Sequence, residues 1–170
     1  MKILIVDDER NIRESLREIL DFEGHSTAEA ADGKEGLEAA MSGNFDAIFC
    51  DIKMPVMDGQ EMLSKLVESG VDTPVIMISG HGTIEDVVKC IKMGAYDYIE
   101  KPLNDLNRIL ITLKNATDKT TLVKETKILR KKVEKVAGVP QIVGESEPIV
   151  RIKTMIDRVA ATDARVLITG

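Results

Sequence analysis

Cysteine and histidine are scarce in this chain, with only 2 of each in 170 residues. Cys50 and Cys90 have no Cys-x-x-Cys spacing and no histidine partner. They therefore offer neither a disulfide framework nor a thiolate metal site, and they read as reduced core thiols. His81 has no second His or Cys beside it and is not read as a metal ligand. No stretch approaches the ~20 consecutive apolar residues of a membrane span. Met1-Lys2-Ile3 runs straight into a strand pattern, so no signal peptide is expected and the expected location is the cytoplasm.

Positive charge is also scarce in most of the chain. Residues 1–118 carry 12 basic and 23 acidic groups, whereas residues 119–135 carry 7 and 2, and residues 136–170 carry 4 and 4. The first segment is an acidic body that repels nucleic acid. The basic stretch has no aromatic residue with it and reads as a solvated helix face rather than a DNA surface. With 44% apolar residues the chain has ample material for a core, and its length allows one full domain plus a fragment.

Polar residues stand in an ordered set at the ends of short apolar runs. Asp7 and Asp8 follow Ile3 to Val6, and Asp51 follows Ala47 to Cys50. Ser79 follows Val75 to Ile78, and Lys101-Pro102 follows Tyr96 to Glu100. Runs of this kind, bounded by turns and separated by helix-length segments, predict strands buried on both faces of a parallel sheet. Ligands of such sheets bind in the crevice beyond the carboxyl ends of the strands. Crowded carboxylates repel one another by about 4 kcal/mol per pair at about 4 Å and an effective dielectric near 20. Either one of them takes a proton or a cation sits among them. An all-oxygen cluster suits a hard ion, and Mg²⁺, which shares its octahedral shell with phosphate oxygens, fits best. Lys101 adds a point charge and Ser79 a hydroxyl, both suited to a phosphoryl group. Asp51 stands alone on its strand while Asp7 and Asp8 are paired, so Asp51 is the candidate nucleophile for an aspartyl-phosphate. The plain alternative is that Asp8 caps a helix starting near Glu9 and Ser79 serves an ordinary turn. Independent caps do not account for four strand ends with this chemistry in this order.

Residues 1–118 resemble the receiver domain of bacterial two-component response regulators. The resemblance rests on Val6-Asp7-Asp8-Glu9, the Asp51 to Gly59 run, Ser79-Gly80-His81-Gly82, Gly94 to Tyr98, and Lys101-Pro102. It implies a flavodoxin-like α/β fold with a five-stranded parallel sheet in the order 2-1-3-4-5. It also implies phosphorylation of Asp51 by a sensor histidine kinase and Mg²⁺ held by Asp7, Asp8 and Asp51 with help from the Lys53 carbonyl. Lys101 would pair with the phosphoryl group, Ser79 would move to hydrogen-bond it, and Tyr98 would swing inward as Ser79 moves. A cis Lys101–Pro102 peptide is part of the same expectation. Lys53 and His81, each two residues past a site residue, are expected to alter the lifetime of the phosphorylated state.

Helical patterns fill the gaps between the runs. Ile12, Leu16, Ile19 and Leu20 mark the first, and Leu37, Ala40 and Met41 the second, after Asp32-Gly33. Met62, Leu63, Leu66 and Val67 mark the third behind an Asp58 cap. Ile84, Val87, Val88 and Ile91 mark the fourth behind a Thr83 cap, with Gly94 as its stop. The second strand, about His25 to Ala30, has the weakest pattern. The fifth helix is expected to start near Leu103 with an apolar face of Leu103, Leu106, Leu110 and Leu113. A polar break from Asn115 to Thr121 follows. Leu122, Thr126, Leu129, Val133 and Val136 then resume as the seam of a short coiled coil. Residues 119–138 thus read as a linker helix that dimerises, with a merely amphipathic extension as the alternative.

Gly138-Val139-Pro140 ends that pattern. Gly144-Glu145-Ser146, a short helix bearing Ile149, Ile152, Ile156 and Val159, and a strand-like 166–170 follow. Residues 139–170 resemble the opening of the central ATPase domain of sigma-54-dependent, nitrogen-regulator-type activators. Gly170 would be the first glycine of a P-loop whose Lys and Ser/Thr are not in this chain, so ATP chemistry would belong only to an intact protein. In that protein a homodimer through the linker helix or the receiver surface, and a partnership with sigma-54 RNA polymerase and DNA, are implied. Phosphorylation would either break an inhibitory linker dimer or create an active interface; the seam favours the first. The rival readings are a receiver with a protein-binding output and an aspartate-nucleophile phosphatase. The latter usually carries a second carboxylate two residues after the nucleophile, where this chain has Lys53.

Overall fold

The apolar runs become parallel strands and the segments between them become helices. In chain order these are β1 Lys2–Val6, α1 Arg10–Phe22, β2 Ser26–Ala30, α2 Gly33–Ser42, β3 Ala47–Asp51, α3 Gly59–Glu68, β4 Val75–Ser79, α4 Ile84–Met93, β5 Asp97–Glu100, α5 Leu106–Val136 and α6 Glu147–Ala160. The structure is a computed structural model and describes residues 1–80, 84–136, 144 and 146–160. His81 and the Thr83 cap, the Gly138-Val139-Pro140 stop, Glu145 and the strand expected at 166–170 lie outside the described residues. The side chains of Val133 and Val136 do as well. Two compact units are present, Met1–Glu125 and Thr126–Gly170.

In the first unit the strands form one parallel sheet in the order β2-β1-β3-β4-β5. Side chains alternate across a strand, so each apolar run divides between two layers. Leu4, Val6, Ile48, Cys50, Val75 and Met77 pack under α2, α3 and α4 with Ala40, Met62, Leu63, Leu66 and Cys90. Ile3, Ile5, Ala47, Phe49, Ile76, Ile78 and Ile99 pack under α1 and α5 with Leu16, Leu20, Ile109, Leu113 and Ala116. The result is a three-layer α/β sandwich whose central strands are wholly inside.

Several expectations about the helices need correcting. Met41 and Val67 point to solvent, and so do Ile84, Val88 and Ile91 of α4. The inward face of α4 is instead Cys90 with Val87. On so short a helix two apolar stripes compete, and the sheet below selects the one that fits under it. The fifth helix begins at Leu106 rather than Leu103. A turn closed by the Asn104 N–H on the Pro102 carbonyl precedes it, and the Asp105 carboxylate accepts the Arg108 N–H at 3.0 Å, as an N-cap does. The polar stretch 115–121 does not break the helix. Thr117, Thr120 and Thr121 return their hydroxyls to the carbonyls of Leu113, Ala116 and Thr117 at 3.1, 2.9 and 3.0 Å, and the ladder runs on beneath them. In the second unit, α6 starts directly after Ser146 and buries none of its side chains.

The loop from β3 to α3 carries two backbone constraints. A Cβ on Gly59 would run into the Asp51 carbonyl oxygen. Val56 sits at φ 67, with the Met57 N–H bonded to the Pro55 carbonyl at 2.7 Å, a tight γ-turn that a β-branched residue enters only with strain. Its side chain is 79% exposed and packs on little. Urea unfolding should therefore show Gly59→Ala lowering stability by roughly 2 kcal/mol and Val56→Gly raising it by about 1 kcal/mol.

Candidate functional site

Parallel pairing brings the carboxyl ends of β1, β3, β4 and β5 to one edge of the sheet, and the polar residues that follow them meet there. The crevice has a volume of about 240 Å³ and is lined by Asp8, Glu9, Asp51, Ile52, Lys53, Ser79, Gly80 and Lys101. Asp7 lies fully buried beneath it. One oxygen from each of Asp7, Asp8 and Asp51 can be chosen so that all three lie within 4.8 Å of one another. The structure thus brings together Asp7, Asp8, Asp51, Lys53, Ser79 and Lys101. Tyr98 stands apart on β5, opposite Met77 in the sheet. The Arg108 guanidinium lies 5.9 Å from its ring centre and donates to its carbonyl at 3.2 Å. Lys101–Pro102 is cis.

The cation among the carboxylates is Lys101. Its Nζ lies 2.9 Å from Glu9 Oε1, 3.0 Å from Asp7 Oδ2 and 3.4 Å from Asp51 Oδ2. Burial opposes the ammonium charge, but the neighbouring carboxylates outweigh it and hold Lys101 above the usual lysine range. Burial pushes Asp7 up. It also pushes Asp51 up, to about 6, against the pull of Lys101 and with added repulsion from Asp7. The backbone positions both groups. Asp7 Oδ1 accepts the Glu9 N–H at 2.9 Å and Asp51 Oδ1 the Ile52 N–H at 2.9 Å. The Lys101 N–H donates to the Ser79 carbonyl at 2.7 Å, tying the lysine to the end of β4.

The chemistry of this donor set fits a hard divalent ion. Asp7 Oδ2 is buried beside Lys101, yet it receives no hydrogen bond of acceptable geometry, so a buried anionic oxygen keeps coordinating capacity. Among the described residues no softer ligand is in the cluster.

Sequence reasoning missed two participants. Glu9 is assigned no role beyond its place in the Val6-Asp7-Asp8-Glu9 motif and at a helix start; it is the N-cap position of α1, makes no side-chain cap, and reaches Lys101 instead. Asp8 is therefore not the cap. Arg13, whose guanidinium grips the carbonyls of Asp7 and Asp8, gave no signal, because it sits on the flank of an ordinary amphipathic pattern.

Sheet order and crevice define the class of protein, a receiver-type α/β module. The description of the response regulator receiver domain matches residues 3–114, and the chain belongs to that family. An NtrX-like response regulator of Rickettsia bellii is 39% identical over 99% of this chain and 35% of its own length. The C4-dicarboxylate transport transcriptional regulatory protein DctD of Rhizobium meliloti is 32% identical over 99% and 36%. The crystal structure of NtrX from Brucella abortus superposes with a TM-score of 0.73 at 36% identity, covering 97% of this chain and 36% of that one. A CheY-like receiver from Methanospirillum hungatei gives 0.67 at 36% identity over 71% of this chain and 95% of that one. The chain spans about a third of the length of these curated relatives. It is a regulatory receiver with the acidic crevice in which receivers bind Mg²⁺. Among the described residues no helix is long and apolar enough to cross a membrane.

The raised Asp51 gives a pH signature. Its folded value, about 6, lies above the ordinary 3.8. Between these values the folded chain holds a proton that the unfolded chain has lost, so this group's contribution to stability falls as pH rises through that window and is gone above it. In metal-free buffer at pH 7.5, Asp51→Asn should raise stability by an amount on the order of 2 kcal/mol. The wild type should lose stability from pH 4 to 6 more steeply than the variant, as thermal unfolding across that range will show.

Proposed function

We propose that Asp51 is the phosphoryl acceptor and that the crevice changes state when it is modified. The observation that carries this reading is the convergence of Asp7, Asp8 and Asp51 with the Lys101 ammonium 3.4 Å from Asp51 Oδ2. In its ionised form Asp51 attacks the phosphorus of a phosphohistidine on a sensor kinase. The new O–P bond forms as the N–P bond breaks, and the imidazole leaves with the electron pair. Mg²⁺ held by Asp7, Asp8, Asp51 and the Lys53 carbonyl would supply charge neutralisation for the phosphoryl oxygens. Lys101, 3.4 Å from Asp51 Oδ2, would exchange part of its contact with Asp51 for those oxygens. The Ser79 hydroxyl, at the neighbouring strand end, would donate to a second oxygen.

The coupling route follows from the chain's connectivity. The Lys101 N–H bonds the Ser79 carbonyl, and Tyr98 lies on β5 three residues before Lys101. A shift of Ser79 toward the phosphoryl group would therefore draw on β5 and on the Tyr98–Arg108 contact. Carrying a population from 1:99 to 99:1 takes about 5.5 kcal/mol of differential binding, which a doubly charged group held by Lys101, Ser79 and a metal can supply in large part.

For the intact protein we infer an arrangement of receiver 1–118, linker helix 119–138 and, from 139, the opening of a sigma-54-interacting AAA+ ATPase. It would be a cytoplasmic homodimer working with sigma-54 RNA polymerase on DNA. Support comes from the near-complete coverage of this chain by NtrX-like and DctD relatives and from the solvent exposure of Leu122 and Leu129 on the expected seam. Lys53, where a phosphatase would have its proton donor, weighs against turnover of external substrates.

Two measurements test the proposal. Incubation with a small acyl phosphate and Mg²⁺ should place one alkali-labile phosphoryl group on the wild type and none on Asp51→Asn. Sedimentation with Mg²⁺ and beryllofluoride should show a dimer that loosens. Phosphoryl incorporation that survives Asp51→Asn overturns the acceptor assignment, and a dimer that tightens reverses the sign assigned to the linker.

A further inference from the structure

Asp7 and Asp8 stand where β1 must turn into α1 within three residues, and their main-chain carbonyls fall between the sheet pairing and the helix ladder. The Asp7 N–H still reaches the Ala30 carbonyl of β2 at 3.2 Å. Both carbonyls are taken up by one side chain. Arg13 Nη1 donates to the Asp7 carbonyl at 2.7 Å and to the Asp8 carbonyl at 3.3 Å. The guanidinium is itself fixed, since its Nε pairs with Glu29 Oε2 at 3.0 Å and Arg17 Nη1 holds the other Glu29 oxygen at 2.6 Å. The Arg13 side chain is only 14% exposed, so the fork sits in a partly desolvated place where such bonds are strong.

We propose that Arg13 is a positioning residue for the metal-holding pair, clamping the Asp7–Asp8 main chain so that the two carboxylates meet Mg²⁺ without first being ordered. Glu29, on the neighbouring strand, holds the clamp from behind. The role rests on the Mg²⁺ reading above and adds to it a residue outside the crevice. It also has a sign that separates it from simple electrostatics. A cation near a metal site weakens metal binding, so a guanidinium acting only through its charge would, when removed, leave Mg²⁺ bound more tightly. A guanidinium that orders the ligands would, when removed, leave Mg²⁺ bound more weakly. Groups that orient ligands typically change metal affinity by about 10- to 100-fold, and the point charge of Lys cannot pair with Glu29 through one nitrogen while a second nitrogen spans both carbonyls, as Nε and Nη1 of Arg13 do.

The test is calorimetric titration of the 170-residue chain with Mg²⁺ alone, for the wild type, Arg13→Gln, Arg13→Lys and Asp8→Asn. Both Arg13 variants are expected to raise Kd roughly tenfold, and phosphoryl incorporation from an acyl phosphate should recover as Mg²⁺ is raised to saturation. A Kd for Arg13→Gln that is unchanged or lower overturns the proposal. If Arg13→Gln loses its helical circular dichroism, the charge-preserving Arg13→Lys decides by the same criterion. Mg²⁺ binding that is normal in both Arg13 variants but lost in Asp8→Asn removes the clamp and leaves the metal site standing. A wild type that binds no Mg²⁺ removes both.

Discussion

The structure depends on one ammonium group. Lys101 follows β5 into a crevice where carboxylates from the β1–α1 turn and from β3 meet, and it contacts Asp7, Glu9 and Asp51 together. Without it those charges would repel one another across a partly desolvated space, at a cost of several kcal/mol. With it they remain in excess, because four carboxylates, counting Asp8, stand at the crevice with Lys101 and Lys53. That imbalance is the physical content of the site. The crevice folds with its own internal cation, yet it retains enough negative charge and one under-satisfied oxygen to take a divalent ion as well.

The framework around this group was legible in the sequence because burial on both faces leaves a simple trace. The runs Ile3 to Val6, Ala47 to Cys50 and Val75 to Ile78 are short, bounded by turns and separated by helix-length segments, which favours the middle of a parallel sheet, and their ends then specify the crevice. Less was legible where a choice depends on what lies opposite. On α4 the apolar residues Ile84, Val88 and Ile91 looked like a core face, but the residue beneath the sheet-facing side is Cys90. The Asn115 to Thr121 stretch looked like an interruption because threonine and asparagine favour turns. With Ala116 pinned in the core and hydroxyls returned to the preceding turn, the helix passes through. Glu9 and Arg13 escaped for a related reason. Their partners are 92 residues away in one case and main-chain atoms in the other, and neither relation has a periodicity.

The two layers over the sheet have different duties. The α1–α5 layer joins the crevice to the long helix. Ile109, Leu113 and Ala116 pack on the same face as Ile5 and Ile78, and Lys119 lies over the Tyr96 ring at 5.4 Å. Ile99 of β5 lies in the same buried cluster, so β5 and the root of α5 share one core. The α2–α3–α4 layer forms the floor. Gly59, where a side chain would collide with the Asp51 carbonyl, lets α3 approach the end of β3 closely enough to fix the Asp51 main chain.

That floor also holds both cysteines. Cys50, adjacent to Asp51, lies against Met62 Sδ at 3.7 Å, and Cys90 comes from α4; both thiols are inside, and burial raises both of their pKa values. A thiol in that position reacts with an alkylating reagent only during the moments when the layer lifts off the sheet. The protein therefore carries its own stopwatch. Modification of Cys50 times the opening immediately behind Asp51, modification of Cys90 times the loosening of α4, and the difference between them tells whether the floor breathes as one slab or one helix at a time.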